Sequence, residues 1–203
     1  MRGLGTGTWL IIVGDSFADY WAYTMDVLTY EAWLRLPEAE GVEEVVNGEV
    51  RRIPPNKWDH ARIIEEMARQ LRAQLNPETV YVVTSVFGLV IKREPLTTRV
   101  PDLAVFVASQ LAEVDGYIHS APEIVVEVLS PADTRIERTE KLSDYESLGT
   151  PEVGIVSPEA PTVEVLQLDN GKLATTAILR EGQLKPARFP QVSVDIALVW
   201  SKK

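Results

Sequence analysis

Residues 121–131 read Ala121-Pro122-Glu123-Ile124-Val125-Val126-Glu127-Val128-Leu129-Ser130-Pro131. Ile124 to Leu129 is a strand-length run rich in β-branched residues and bounded by proline on both sides, the pattern of a buried strand. Glu127 interrupts it. Side chains alternate along a strand, so Val125, Glu127 and Leu129 share one face, and the carboxylate points where Val and Leu also point. A charge in that position costs on the order of several kcal/mol unless it is paired, protonated or bound to a metal. A second carboxylate stands in a similar setting. Asp102 follows Val100-Pro101 and opens Leu103-Ala104-Val105-Phe106-Val107. Alone, a Pro-Asp step at a strand start reads as a turn or a solvated edge. Two carboxylates entering apolar strands read as a metal site.

Working outward, Arg135 to Leu148 is predicted to be a helix, with Leu142 and Leu148 apolar, Gly149 as its C-cap and Pro151 just beyond. Val153–Val156, Thr162–Leu168 and Lys172–Leu179 read as strands, the last two joined at Asn170-Gly171. Upstream, Ile63, Ile64, Met67, Leu71 and Leu75 recur at helical spacing between about Lys57 and Leu75. Val80–Phe87 and Leu89–Lys92 read as strands meeting at Gly88, and a short helical or loop segment separates the Asp102 strand from the Glu127 strand. Nearer the N-terminus, Thr29 is a plausible N-cap for a short helix through Tyr30, Trp33, Leu34 and Leu36. Val42–Val46 and Glu49–Ile53 flank Asn47-Gly48, the dipeptide of a tight hairpin turn. The architecture that follows is α+β, α/β-like, a central mixed sheet flanked by helices, with an N-terminal helix and β-hairpin.

The 203 residues suffice for one sizeable core, and 45% hydrophobic with 25% charged residues is ordinary for a globular domain. The expected organisation is an N-terminal extension over residues 1–24 and a single domain over 25–203. Within the extension, Trp9-Leu10-Ile11-Ile12-Val13 is too short to span a bilayer and lacks a convincing small-residue cleavage site. No membrane association is expected. The chain has 20 Lys and Arg against 30 Asp and Glu, a formal net charge of −10, which shows no electrostatic footprint of a general nucleic-acid coat; a polyanion needs a local basic patch or bridging cations. With no cysteine, disulfides, thiolate zinc sites and thiol catalysis are excluded, and a reducing cytoplasm fits. Only two histidines, His60 and His119, are present, so a His-rich metal site is excluded as well.

Lys141 and Tyr145 lie four residues apart on the predicted helix after Glu127 and project from one face. Taken singly, Lys141 reads as a surface lysine, His60 as an exposed polar residue and Glu44 as a strand-face charge. Together with Asp102 and Glu127 they make the set a hard-cation phosphodiesterase needs: carboxylates from adjacent strands for Mg²⁺ or Mn²⁺, with the Val128 carbonyl as a further oxygen donor, and a lysine near the scissile group.

This ordered set resembles the PD-(D/E)XK nuclease superfamily, and within it a large bacterial family of restriction-endonuclease-like proteins. The resemblance runs from Leu28 to Leu198 through Leu28-Thr29-Tyr30-Glu31-Ala32-Trp33-Leu34, Glu44-Val45-Val46-Asn47-Gly48-Glu49, His60, Pro101-Asp102-Leu103, residues 121–131, Lys141 through Tyr145, residues 149–156 and Phe189-Pro190. It implies a restriction-endonuclease-like core, with Asp102 and Glu127 as metal carboxylates and Glu44 as an acidic neighbour of the site. The superfamily's lysine two positions after the glutamate is replaced by Leu129, and the resemblance implies that Lys141 supplies it instead. Glu43 and Asn47 also depart from the family's hairpin pattern; Asn47 keeps the turn.

The function these expectations define is a metal-dependent endonuclease that hydrolyses DNA, holds it weakly without divalent ions, and acts as a two-fold homodimer. The rival readings are a nuclease-fold binding module with little or no turnover, and a hydrolase of small phosphoesters. Arg51, Arg52, Lys57, Arg62, Arg135 and Arg138 are the basic residues expected to flank the site, with Arg51, Arg135, His60 and Tyr145 in supporting roles.

Overall fold

The computed structural model describes residues 27–201 apart from 38, 85, 86, 132 and 133; the extension over 1–24 lies outside them. The chain runs through α1 (Tyr30–Trp33), β1 (Val42–Val46), β2 (Glu49–Ile53), α2 (Trp58–Arg72), β3 (Val80–Val83), β4 (Leu89–Arg93), β5 (Leu96–Arg99), β6 (Leu103–Val107), β7 (Glu113–Val114), β8 (Tyr117–Ile118) and β9 (Ile124–Val128). It continues through α3 (Arg135–Leu148), β10 (Glu152–Ser157), β11 (Thr162–Asp169), β12 (Lys172–Leu179), β13 (Gln183–Leu184), β14 (Val194–Asp195) and α4 (Ile196–Trp200). The expected mixed α+β fold is present. Its strands fall into two six-stranded mixed sheets, ordered β2-β1-β5-β4-β8-β7 and β12-β11-β10-β9-β6-β3, with β13 and β14 paired separately.

Sequence chemistry accounts for the local elements. Thr29 caps α1 by accepting the Ala32 N–H, although the helix stops at Trp33 rather than continuing to Leu36. Asn47 (φ 51°) and Gly48 (φ 81°) make the turn that sets the β1–β2 register from Val42↔Ile53 to Val46↔Glu49. Thr134 and Glu137 form a reciprocal capping box at the start of α3, and Gly149 ends the helix at φ 87°.

The two strands expected to meet at Gly88 end apart, the first at Val83, and they belong to different sheets. β3 pairs with β6 in one sheet, while β4 pairs with β5 and β8 in the other. Glycine is required at 88 because a Cβ there would come within 2.6 Å of the Tyr117 ring. A close approach of backbone to an aromatic ring, rather than a turn, explains it. The segment taken as helix or loop holds a 3-10 turn at Ala108–Gln110 and then the β7–β8 hairpin, turned by Asp115 (φ 56°) and Gly116.

β9 sits at the centre of its sheet, antiparallel to β6 and parallel to β10. Alternation sorts its side chains. Ile124, Val126 and Val128 join Ile63, Ile64, Met67, Ala68 and Leu71 of α2 in the larger core. Val125 and Leu129 pack instead with Tyr145, Leu142 and Leu148 of α3 and with Leu89 of β4. The face of β9 that carries Glu127 therefore looks toward α3, where that helix meets the other sheet.

Candidate active site

Asp102 and Glu127 meet because of strand register. β6 and β9 are antiparallel with Leu103 opposite Val126, so one step further along places Asp102 opposite Glu127. Pro101 has no N–H to give the ladder, and beyond Leu103 side chains serve Val128 instead: Asp102 Oδ2 accepts the Val128 N–H at 2.8 Å, in place of a backbone carbonyl. His60, buried on the first turn of α2, brings Nε2 to 2.8 Å from the Val128 carbonyl oxygen and 3.2 Å from Asp102 Oδ2. Both neighbours are acceptors, so Nε2 carries a proton. His60 is thus not the exposed polar residue it reads as when taken singly: its helix position belongs to the face that packs on the sheet.

Glu127 is 5% exposed. Its Oε2 accepts Lys141 Nζ at 2.7 Å, and its Oε1 accepts the Tyr145 hydroxyl. Lys141 is therefore not a free surface lysine; the i,i+4 spacing on α3 delivers both donors to one carboxylate. Burial pushes the Glu127 carboxyl above its ordinary pKa, and Asp102 pushes the same way against the opposing pull of Lys141. Burial also works against the Lys141 charge, but Glu127 and then Glu44 more than offset it, so its pKa is raised. Burial and the Glu127 charge hold the Tyr145 hydroxyl well above its usual range, as a neutral donor.

Glu44, 2% exposed on β1, joins the cluster from the other sheet with Oε1 3.9 Å from Lys141 Nζ. Two residues unremarked in the sequence complete it. Arg99 on β5 donates from Nη1 to Glu44 at 2.7 Å and from Nε and Nη2 to Asp144 Oδ2 of α3 at 2.8 and 2.6 Å. The signal was available, since Arg99 ends Leu96-Thr97-Thr98-Arg99, a β-branched strand run broken by one charge in the way that Glu127 breaks its own.

The expected basic flank is largely spoken for. Arg51 donates to Glu140 of α3 at 2.6 Å and Arg52 to Glu43 at 3.1 Å. Arg62 bonds the Val199 and Ser201 carbonyls, and Arg138 pairs with Glu164 on β11. Lys57 and Arg135 are exposed.

Among the described residues, no group of three or more His, Cys, Asp and Glu side chains is arranged to hold a metal. The donor set is two carboxylates facing each other across adjacent strands, with the Val128 carbonyl beside them. Mg²⁺ is ordinarily held by one or two carboxylates, with water and phosphate oxygens completing its shell. Each Glu127 oxygen accepts one donor and keeps a second lone pair. His60 aside, four carboxylates (Glu44, Asp102, Glu127, Asp144) face two cations (Arg99, Lys141), a deficit that one divalent ion would close. The residues present fit such an ion.

Taken together, the parts are those of a restriction-endonuclease-like domain. A family model described as "Uma2: Putative restriction endonuclease" matches residues 29–197, and the chain belongs to that family. A solved structure described as a "putative nuclease belonging to DUF820 from Anabaena variabilis ATCC 29413" superposes with a TM-score of 0.70 at 21% sequence identity, over 85% of this chain and 97% of that one. At that identity the likeness is one of fold. No curated protein matches this chain in sequence. No helix among the described residues is long and apolar enough to cross a membrane.

Proposed function

We propose that this protein is a Mg²⁺- or Mn²⁺-dependent endonuclease that hydrolyses DNA phosphodiester bonds at the Asp102–Glu127 site. The observation that carries the reading is the opposition of Asp102 and Glu127 on adjacent strands with Lys141 Nζ 2.7 Å from Glu127. Asp102, Glu127 and the Val128 carbonyl would hold the cation. When bound, the cation would supply Lewis-acid polarisation of the scissile phosphate and a lowered pKa for water.

The chain's own residues have separable tasks. Tyr145 fixes Glu127 by a hydrogen bond to Oε1. His60 braces the other side, since its N–H holds both the Val128 carbonyl and the Asp102 carboxylate in place. Lys141 keeps its ammonium charged beside Glu127, where it offsets negative charge developing on the phosphoryl group and orients the attacking water. A two-fold homodimer would present two such sites to the two strands of a duplex, and the absence of cysteine fits work in a reducing cytoplasm.

A plasmid-nicking assay with Mg²⁺, Mn²⁺ or chelator tests this reading, run on wild type, Asp102→Asn and Lys141→Met. The expected result is metal-dependent nicking that both substitutions abolish. Nicking that survives Asp102→Asn, or metal-dependent turnover of small phosphoesters without any cutting of DNA, would overturn it.

A further inference from the structure

Lys141 lies between two buried carboxylates. Its Nζ is 2.7 Å from Glu127 Oε2 and 3.9 Å from Glu44 Oε1, so a modest side-chain rotation separates one pairing from the other. What decides between them is the company each carboxylate keeps. Glu127 has one other donor, the neutral Tyr145 hydroxyl. Glu44 has a full positive charge at 2.7 Å from Arg99 and the Val100 N–H at 3.1 Å.

Arg99 is 2% exposed, and its side-chain hydrogen bonds go to Glu44 and Asp144 rather than to the residues proposed to hold the cation. We propose that Arg99 is a positioning residue: by neutralising Glu44 it keeps Lys141 on Glu127. Asp144 is the anchor for this arrangement. It stands three residues after Lys141 and directly before Tyr145, and its Oδ2 takes two N–H groups of the guanidinium. Arg99 thus spans β1, β5 and α3 at once, which a rigid planar fork of donors does and an ammonium point charge does not. Without it, Glu44 would be a buried charge with no cation, and Lys141 is the cation within reach. The consequence for turnover rests on the nuclease reading; the choice made by Lys141 is a property of the metal-free protein.

Crystal structures of metal-free Glu44→Gln, Arg99→Gln and the double variant test the proposal, alongside Mn²⁺-dependent plasmid nicking. In Arg99→Gln, Lys141 Nζ should move to about 3 Å from Glu44 and leave Glu127, with nicking reduced about 10²-fold by the misplacement. Once Glu44 is neutral, adding Arg99→Gln should leave Lys141 on Glu127 and cost only about two- to threefold in rate, a coupling of the two sites that independent residues would not show. Lys141 remaining on Glu127 in Arg99→Gln overturns the proposal, as does its departure in the double variant. If Arg99→Gln does not fold, the comparison of Glu44→Gln with the double variant decides by the same Nζ position. A wild type that fails to nick DNA defeats the nuclease reading and leaves the position of Lys141 measurable.

Discussion

Lys141 Nζ lies 2.7 Å from Glu127 Oε2, reached from a helix rather than from the strand that carries the glutamate. A lysine two positions after Glu127 would share its face directly, but that position is Leu129, which packs against the same core as Leu142 and Leu148 of α3. The helix face so anchored brings an ammonium to the same place by a longer route.

Tyr145→Phe removes the hydrogen bond to Glu127 Oε1 while keeping the buried ring. A hydrogen bond to a charged group contributes about 1.5–3 kcal/mol, so urea denaturation of metal-free protein should show a loss of that size. Because the hydroxyl lowers the Glu127 pKa against burial, its loss should also move the acid limb of the nicking rate to higher pH.

Asp102→Ala and Glu127→Ala should differ in metal-free stability. Glu127 is half of an ion pair with Lys141, and breaking it costs about 1.5–3 kcal/mol, limited because Lys141 can turn to Glu44 at 3.9 Å. Removing Asp102 strands the Val128 N–H but leaves the His60 N–H its Val128 carbonyl, and it relieves like-charge repulsion with Glu127, an offset that removal of Glu127 lacks for Lys141 and Tyr145. Thermal melts should place Asp102→Ala above Glu127→Ala, with both inactive in nicking.

Glu140→Gln should strengthen DNA binding. The carboxylate holds Arg51 at 2.6 Å beside the hairpin, and releasing that arginine offers one more phosphate contact. Fluorescence anisotropy with a duplex oligonucleotide across a salt series should show tighter binding, with the log–log slope steeper by about 0.9. Wild-type binding without divalent ions should be weak, since most of the cations expected near the site already have protein partners. An unchanged slope in Glu140→Gln would mean that Arg51 stays off the DNA.

Far from the site, Glu152 on β10 is buried with Gln167 and the Ala187 N–H as its partners. Burial outweighs both hydrogen bonds and raises its pKa. The folded state therefore binds this proton more tightly than the unfolded state, so the contribution to stability is full below the ordinary glutamate value and is lost as pH rises through the raised one. Urea midpoints between pH 4 and 8 should fall less steeply in Glu152→Gln than in wild type.

Much of this was legible in the chain because it depends on local rules. The β1–β2 hairpin follows from Asn47-Gly48, whose backbone angles few other residues accept, and α2 follows from apolar residues at helical spacing. Glu127 stood out because one charge in a strand of aliphatic residues has no local explanation. Other features misled for the same reason. Gly88 read as the meeting point of two strands, whereas its lack of a side chain serves the Tyr117 ring, from a distant part of the chain. Asp144 escaped notice because one carboxylate on a largely polar helix is unremarkable until Arg99 is beside it, whereas Arg99 carried the same signal as Glu127, a single charge in a strand run.

Local sequence pattern was enough for the longer helices and strands, though not for β5, the β7–β8 hairpin, the β13–β14 pair or α4; it was enough also for a strand–helix unit bearing Glu127, Lys141 and Tyr145, and for the oxygen-donor chemistry of a chain without cysteine and with two histidines. The division of the strands into two sheets, the opposition of Asp102 and Glu127, and the burial of His60 and Glu44 beside them came from long-range packing. The reason is physical. Helix periodicity, caps and turns are set by interactions within a few residues, while sheet order and ion pairing are set by which distant surfaces bury each other, and neighbours in the chain carry no record of that choice.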